Sequence, residues 1–124
     1  MKHHEDTEQA LVFEWASYRP ILRFMFSIPN GSYLAGDIKA RSQQMTRLKK
    51  QGLKTGVSDI FLPIASKGYH GMFIEMKRRK VDGPSKVSPD QDVFLQEMHD
   101  QGYEVEVCYG AEEAIVAIQD YLGV

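Results

Sequence analysis

Residues 56–77 read GVSDIFLPIASKGYHGMFIEMK, two apolar runs on either side of a short polar segment that contains glycine. This pattern predicts a β-hairpin with a tight turn near Lys67. Because the numbers of paired residues in an antiparallel hairpin have a constant sum, the turn places Asp59 opposite Glu75 or within one residue of it. Side chains alternate between the two faces of a strand, so Glu75 and Lys77 share a face.

The predicted hairpin therefore gathers two carboxylates and one ammonium group at one end of a sheet. Two neighbouring carboxylates repel each other unless a proton or a cation lies between them. A hard divalent cation, which prefers oxygen ligands, is the natural occupant. In the alternative interpretation Asp59 is a turn residue, and Glu75 with Lys77 forms an exposed ion pair of little energetic consequence. The apolar neighbours of Glu75 favour a buried strand and thus the cation site.

Length and composition indicate one domain that spans residues 1–124. The chain is 43% hydrophobic and 26% charged, as is typical of soluble globular proteins. No apolar run approaches the ~20 residues that cross a bilayer, and the first residues do not resemble a signal peptide. The single cysteine, Cys108, lies in an apolar run, which argues against a secreted disulfide scaffold. We expect a cytoplasmic protein that does not bind membranes.

The net charge of −2 hides a segregated distribution of basic residues, because most of the 15 lysines and arginines fall in two segments. The first segment has no acidic residue and contains Lys39, Arg41, Arg47, Lys49, Lys50 and Lys54. The second is opposed only by Asp82 and contains Lys77, Arg78, Arg79, Lys80 and Lys86. Clustered cations are the electrostatic footprint of a nucleic-acid-binding protein. The alternative is a solvated helix face followed by a solvated loop.

The periodicity of the apolar residues predicts the order helix, strand, helix, strand, strand, helix, strand, helix. The helices are expected at residues 6–17, 38–51, 89–101 and 111–122, and the strands outside the hairpin at 22–28 and 103–109. The third helix opens with Ser88-Pro89-Asp90-Gln91, in which a capping box is combined with proline at the first helical position. This order implies an α/β fold in which helices flank a mixed sheet.

Apolar positions that recur along these elements are assigned to the core. On the helices they are Leu11, Val12, Trp15 and Tyr18, then Ile38, Met45 and Leu48, then Val93, Phe94 and Met98, and last Ala111, Ile115, Ile118 and Leu122. On the first strand they are Leu22, Phe24, Phe26 and Ile28. Glu8 falls on the apolar stripe of the first helix, where an unpaired carboxylate is costly. Either the positive end of the helix dipole or the cation site accounts for it.

Five segments, taken in order, resemble a stand-alone virus-type replication–repair nuclease (VRR-NUC) domain of the PD-(D/E)XK nuclease superfamily. They are Glu8, Pro29-Asn30-Gly31, Gly56-Val57-Ser58-Asp59, Phe73-Ile74-Glu75-Met76-Lys77 and Ser88-Pro89-Asp90-Gln91. The first acidic motif is Ser58-Asp59 and lacks the proline of the superfamily pattern. A lone Glu-x-Lys is common on amphipathic strands, whereas the ordered set is much more specific and covers most of the chain.

The resemblance implies a restriction-endonuclease-like fold and cleavage of DNA with Mg²⁺ or Mn²⁺. Asp59, Glu75 and the carbonyl of Met76 would hold the ion, and Lys77 would orient the attacking water. Glu8 would place a water or a second ion, and Gln91 would contact Lys77, unless it only caps its helix. The basic residues of both segments, Arg78, Arg79 and Lys80 among them, would hold the phosphate backbone.

Compact members of the family resemble Holliday-junction resolvases that act as homodimers. We therefore expect the partner to be branched DNA, with a four-way junction first, in a bacterial or phage-infected cell. The alternatives are a nuclease that processes flaps, nicks or mismatches and a DNA-binding module without catalytic activity.

Overall fold

The structure is a computed structural model that describes residues 4–29 and 34–124. Its helices are α1 (His4–Ala16), α2 (Ile38–Lys50), α3 (Pro89–Asp100) and α4 (Ala111–Leu122). Its strands are β1 (Phe26–Ser27), β2 (Ile60–Leu62), β3 (Met72–Lys77) and β4 (Glu104–Tyr109). The predicted order is confirmed. Asn30 and Gly31, which belong to one of the resembling segments, lie outside the described residues. Within the described ranges, no helix combines the length and apolar character needed to cross a membrane.

The hairpin forms with the predicted turn and register. Ser66 pairs with Tyr69 around a two-residue turn. Lys67 and Gly68 occupy that turn with φ of 51° and 87°, the left-handed region that tight hairpin turns require. Ile60 pairs with Ile74 further along β2 and β3, a register that is offset by one residue from that of the turn. Continued by one residue, the strand register sets Asp59 opposite Glu75.

The sheet has the order β1-β2-β3-β4 and is mixed. β1 pairs with β2 and β2 with β3 in antiparallel fashion, whereas β3 and β4 are parallel. Parallel neighbours need a crossover connection, and α3 supplies it between β3 and β4. The sheet is thus a hairpin extended by a strand–helix–strand unit, as the α/β prediction requires.

One face of the sheet is the hydrophobic core, and α1 and α4 cover it. The core residues of β2 and β3 are at most 1% exposed and are Ile60, Leu62, Met72, Ile74 and Met76. They belong to one cluster with Val12 and Ala16 of α1 and with Ala114 and Ile118 of α4. Burial of such side chains stabilises a fold by about 1.5–3 kcal/mol each, so this layer holds β3 rigidly.

The opposite face, which we call the site face, carries the alternate residues of the hairpin. They are Asp59, Phe61, Phe73, Glu75 and Lys77. α3 lies over part of this face, because Gln91 bonds to Glu75 and the ring of Phe94 packs 5.2 Å from that of Phe73.

The first predicted strand is largely wrong. Residues Pro20–Leu22 form a 3₁₀ turn, and only Phe26–Ser27 pairs in the sheet. Phe24 is 68% exposed and Phe26 49%, although both were assigned to a core face with Leu22. The reason is local, because Pro20 favours the first position of a turn and Leu22 donates its N–H to the carbonyl of Arg19.

The helical core assignments need smaller corrections. Val93 is 67% exposed and Leu95 is buried in its place. Leu11 of α1 is 45% exposed, Tyr18 lies beyond the end of α1 and is 79% exposed, and Ile38 at the start of α2 is 80% exposed. On α4 the fully buried positions are Ala111, Ala114, Ile118 and Tyr121, while the assigned Ile115 and Leu122 are half-buried. Propensity and period set the elements, but tertiary contacts choose the buried face.

The segment that leads from α2 into β2 is pressed against the start of α3. Gly56 has φ of +87°, and a Cβ built on it would lie 2.6 Å from the carbonyl oxygen of Asp90. Only glycine permits both this conformation and this approach. The hydroxyl of Thr55 also donates to the Asp90 carboxylate at 3.3 Å. The contact holds the chain that carries Asp59 beside the helix that carries Gln91.

Candidate functional site

Asp59 lies immediately before β2 and is anchored to β3. Its Oδ2 accepts the backbone N–H of Met76 at 2.7 Å. Its own carbonyl accepts the N–H of Ile28 at 2.8 Å, which ties the same residue to the chain beyond β1. A short hydrogen bond from a backbone N–H to a carboxylate fixes the orientation of the acid. Asp59 is half-buried at the open end of the hairpin.

Glu75 is the most buried acid of the site, at 2% exposure. Its Oε2 accepts a hydrogen bond from the side-chain amide of Gln91 at 3.1 Å. Its Oε1 is buried and accepts no hydrogen bond from a donor group. Burial raises the pKa of Glu75 to about 9, a hydrogen bond from the protonated acid to the Asp59 carboxylate and the charge of that carboxylate add to the shift, and the Lys77 ammonium opposes it. A buried polar oxygen without a partner is costly in the absence of a ligand.

The side chain of Gln91 bonds to three groups of the site. Its Oε1 accepts from the backbone N–H of Ser88 at 2.9 Å and from the Lys77 ammonium at 3.1 Å. The Ser88 hydroxyl accepts the Gln91 N–H, so the predicted capping box is present. With Oε1 held by two donors, the NH₂ group must point at Glu75. Gln91 therefore caps α3 and also contacts Lys77 and Glu75. Lys77 itself is only 6% exposed.

The donor set fits a small hard cation. Two carboxylates converge, and one oxygen of Glu75 is buried without a partner. Among the described residues, no group of three or more histidine, cysteine or acidic side chains is arranged around a common metal position. Mg²⁺ is commonly bound by one or two carboxylates and keeps several waters, so the small number of acids is compatible with it.

The backbone of Met76 faces the same position as Asp59. In β3 the odd-numbered residues bond towards β4, because Gly110 donates its N–H to the carbonyl of Lys77 at 2.9 Å. The even-numbered residues therefore face the β2 side, where β2 has ended and Met76 bonds to the Asp59 carboxylate instead. Both backbone groups of a paired residue point the same way, so the Met76 carbonyl also lies on the side of Asp59.

Glu8 is buried at 8% exposure, as its place on the apolar stripe indicates. Its Oε1 accepts the N–H of Ala111, the first residue of α4, at 2.9 Å. Its Oε2 lies 3.9 Å from the guanidinium of Arg79. The helix dipole does account for a buried Glu8, but the helix is α4 rather than its own. These contacts place Glu8 as a link between α1, α4 and the end of β3.

Glu5, which was not singled out from the sequence, is the acid of α1 whose charge acts on Glu75. Its carboxylate contributes to the raised pKa of Glu75. The Ser85 hydroxyl donates to its Oε2 at 3.4 Å. Glu5 precedes Glu8 by three residues and so lies on the same helix face. That spacing was the available signal for it.

The first basic segment is a solvent-exposed surface. α2 has no fully buried residue, and Asp37 caps its N-terminus by accepting the Ala40 N–H at 2.8 Å. All of its predicted phosphate-binding residues are exposed, namely Lys39, Arg41, Arg47, Lys49, Lys50 and Lys54. We call these six residues the α2 cationic surface. Its C-terminal members directly precede Thr55 and Gly56, which contact α3 beside the site.

The second basic segment is more committed to internal contacts. The guanidinium of Arg79 donates to the Asp82 carboxylate at 3.0 and 3.3 Å. Arg78 is half-buried and donates to the carbonyl of Pro84. The Lys80 ammonium lies 5.1 Å from the centre of the Tyr109 ring. These side chains support the loop after β3, so their availability to phosphate is lower than that of the α2 cationic surface.

The raised pKa of Glu75 has a consequence for stability that is measurable without substrate. With divalent ions removed by a chelator, we expect the melting temperature to fall as the pH rises from about 5 to 8. The folded state keeps the Glu75 proton up to about pH 9, whereas the unfolded state loses it near the ordinary value of 4.5. The folded state thus binds more protons in this window, and the free energy of unfolding decreases with pH.

Thermal melts followed by circular dichroism in chelator would measure this slope, and Glu75→Gln is the matched control because it keeps the shape without the titration. A shallower slope in Glu75→Gln than in the parent is the expected result. Equal slopes in the two proteins would contradict the assignment of a protonated Glu75.

The comparisons with known proteins agree with this geometry. The family model of the VRR-NUC domain matches residues 4–112. A solved structure described as a VRR_NUC domain protein superposes with a TM-score of 0.80 at 26% sequence identity, over 99% of this chain and 91% of that one. No curated protein matches the chain. The restriction-endonuclease-like α/β fold and the family resemblance are thus confirmed. The chain belongs to the VRR-NUC family, whose domain is that of a nuclease of the PD-(D/E)XK type.

Proposed function

We propose that this protein is a divalent-metal-dependent, structure-selective DNA endonuclease that cuts four-way junctions as a homodimer. The observation that carries the proposal is the convergence of Asp59, Glu75 and Lys77 on one end of the site face, with Gln91 bonded to two of them. The unpartnered oxygen of Glu75 supports a ligand at this position. We place the activity in the cytoplasm of a bacterial or phage-infected cell.

Asp59, Glu75 and the Met76 carbonyl are the proposed ligands of Mg²⁺ or Mn²⁺. When bound, such an ion lowers the pKa of a water and offsets negative charge on the phosphate. Binding would also supply the partner that Glu75 Oε1 lacks and would displace its proton. Nuclease domains of this family generally depend on divalent metal ions, which is consistent with the donor set.

Lys77 is the proposed cation that faces the reacting phosphate. Its ammonium group is nearly buried and is held by Gln91, so it needs little reorganisation when negative charge develops. In this position it would orient the attacking water and stabilise the pentavalent phosphorus. Gln91 would keep Lys77 and Glu75 at fixed separation, since its side chain bonds to both.

Two of the acids of α1, Glu5 and Glu8, are given different roles. We propose that Glu5 adds negative potential at the cation site, because its charge acts on Glu75. Glu8 is proposed to act through position, since it binds the start of α4 and lies 3.9 Å from Arg79. The role of Glu8 as a holder of water or of a second ion remains a prediction, and its present contacts do not require it.

The α2 cationic surface is the proposed contact for the phosphate backbone, with Arg78, Arg79 and Lys80 beside the site. Contacts of this kind position DNA without reading its sequence. They also release counterions, so binding should weaken steeply as salt increases. The sequence contains no recognisable base-reading module, so recognition of DNA shape rather than sequence is the proposal.

A homodimer is proposed from the symmetry of the substrate. A four-way junction is nearly two-fold symmetric and must be cut once in each of two opposing strands. The described chain carries a single candidate site, so a C2 dimer would present two sites with the matching symmetry.

The test is a cleavage assay on labelled DNA: a four-way junction, a flap, a nicked duplex, a plain duplex and a single strand. Each is incubated with Mg²⁺, Mn²⁺ or chelator, and light scattering measures the molecular mass of the protein alone. We expect paired symmetric cuts in the junction, dependent on metal, by a protein of twice the chain mass.

Metal-dependent cuts in flaps or nicks, with the junction left intact, would keep the nuclease and overturn the resolvase. Tight junction binding without cleavage in any metal would favour a DNA-binding module. A monomer that still makes paired cuts would remove the dimer from the proposal.

A further inference from the structure

Beside the candidate site, three phenylalanines form a row across the sheet that we call the aromatic ladder: Phe26 of β1, Phe61 of β2 and Phe73 of β3. They are direct register partners, Phe26 with Phe61 and Phe61 with Phe73. Their ring centres are separated by 5.8 Å and 4.5 Å. Tyr103 adds a ring 5.3 Å from Phe73. The row therefore crosses the site face at right angles to the strands.

The ladder is only partly covered. Phe94 of α3 packs edge-on against Phe73 at 5.2 Å, which closes the β3 end. At the other end, Phe26 is 49% exposed and Phe61 is half-buried. Cross-strand aromatic pairs stabilise a sheet. That stabilisation does not require the edge ring of Phe26 to be half exposed to solvent, so the open end of the ladder can accept a ligand.

The ladder and the acids occupy adjacent rows of the same face. Asp59 precedes Phe61 by two residues, and Glu75 follows Phe73 by two, so the two rows are immediate neighbours on this face. This spacing is about 7 Å along the strand. The base of a nucleotide lies at a comparable distance from its own phosphate. A strand whose phosphate reaches Asp59 and Glu75 can therefore set a neighbouring base on the ladder.

The closeness of the aromatic ladder to Asp59 also restricts which ligand can cover its open end. A second protein seated on Phe26 and Phe61 would stand one side-chain row from Asp59 and obstruct the path of the phosphate. A nucleobase satisfies both rows at once, because every base has an apolar face that stacks on aromatic rings. The α2 cationic surface, whose C-terminal end leads into the segment that carries Asp59, supplies the charge that a DNA strand needs.

We propose that the open end of the aromatic ladder stacks a nucleobase that leaves the helix next to the scissile phosphate. This inference rests on the proposed function and narrows its substrate to DNA whose base stack is interrupted at the cleavage position, as at a branch point. Extraction of a base from the stack costs least where the base is already unpaired or mismatched. The ladder would thus select structure without reading sequence.

The experiment compares binding of two DNAs by protein that carries Asp59→Asn, so that the DNA stays intact. One DNA is a four-way junction with 2-aminopurine at the exchange point, and the other is a paired duplex of equal length with the same label. We expect tighter binding to the junction and a rise in the fluorescence of its label on binding, because 2-aminopurine is quenched within the base stack and brightens when it leaves it. Phe26→Leu should weaken junction binding about tenfold and reduce this rise, with little change for the duplex. Phe61→Leu, tested separately, should act in the same direction.

Tyr18→Leu is the matched control, because Tyr18 is 79% exposed but follows α1 on the other side of the sheet. It should leave both affinities unchanged, and none of these variants should alter the salt dependence of binding, since no charge is removed.

Equal junction preference in the parent, Phe26→Leu and Phe61→Leu would overturn the inference and leave the proposed nuclease activity unaffected. If the Phe26→Leu protein binds both DNAs equally well and has a different molecular mass from the parent in the absence of DNA, Phe26 forms a contact between two copies of the chain. That result would also overturn the inference. If the Asp59→Asn protein and the parent in chelator bind neither DNA, the proposed function fails as well.

Discussion

Replacement of Asp59 by alanine is expected to lower the rate of DNA cleavage about a thousandfold or more. The carboxylate is one of two acids proposed to hold the metal ion, and a bound ion supplies several kcal/mol of transition-state stabilisation. Alanine also removes the acceptor of the Met76 N–H, a bond of 2.7 Å, which should lower stability by about 1 kcal/mol. Single-turnover cleavage of the preferred DNA in Mg²⁺ and a thermal melt measure the two effects.

Asp59→Asn separates the two effects, because its side-chain oxygen can still accept from Met76 while its charge is lost. It should melt closer to the parent than Asp59→Ala does, and it should cleave as poorly. Asp100→Ala removes an exposed acid at the end of α3 and serves as the control for net charge. Cleavage by Asp59→Asn at a rate within tenfold of the parent would contradict the assignment of Asp59 as a ligand.

The hairpin and its acids were predictable because the signals are local. A glycine in the turn and alternation on both sides predict the register to within one residue, and the observed strand register sets Asp59 opposite Glu75. The capping box at Ser88 likewise marks the start of α3 without any knowledge of the fold. These short-range features bring the central residues of the site together, so most of the site could be predicted before the structure.

The buried face of α3 could have been predicted from the sequence, but the prediction placed Val93 on it instead of Leu95. Gln91 contacts Glu75, so the residues three, four and seven positions later must face the sheet. These are Phe94, Leu95 and Met98, and Val93 is turned to solvent. The apolar character of Val93 alone predicts burial. The position of Gln91 is the better guide, because it fixes the rotation of α3 about its axis.

The partner of Glu8 depends on contacts that no local pattern contains. Its carboxylate binds the N–H of Ala111, which lies 103 residues away in the chain. Whether Glu8 or Glu5 faces the site depends on how α1 packs against α4, a long-range result of the core. The exposed Phe26 was misassigned for a related reason, since an apolar residue on an edge strand has the same signature whether it meets a core or a ligand.

Replacement of Lys77 by methionine is expected to lower the cleavage rate by about 10²–10³-fold while DNA binding is retained. The loss is that of one preorganised charge at the position where negative charge develops. Stability should stay the same or increase, because Lys77 is 6% exposed and a charge at this depth is costly to bury. Gln91 keeps the Ser88 N–H as a donor at 2.9 Å, so the cap of α3 survives. Single-turnover rates, DNA affinity and a thermal melt give the three measurements.

Lys86→Met is the comparison that isolates position from charge, because Lys86 is an exposed lysine in the same basic segment. It removes the same charge from the chain and should change only the salt dependence of binding, by about one phosphate contact at most. If Lys77 is catalytic, Lys77→Met should therefore lose most of the cleavage rate without any loss of stability. If Lys77→Met instead unfolds the protein while Lys86→Met is silent, Lys77 holds the sheet together and the role in catalysis is wrong. If both variants cleave like the parent, the ammonium groups of Lys77 and Lys86 take no part in the reaction, and the role proposed for Lys77 is wrong.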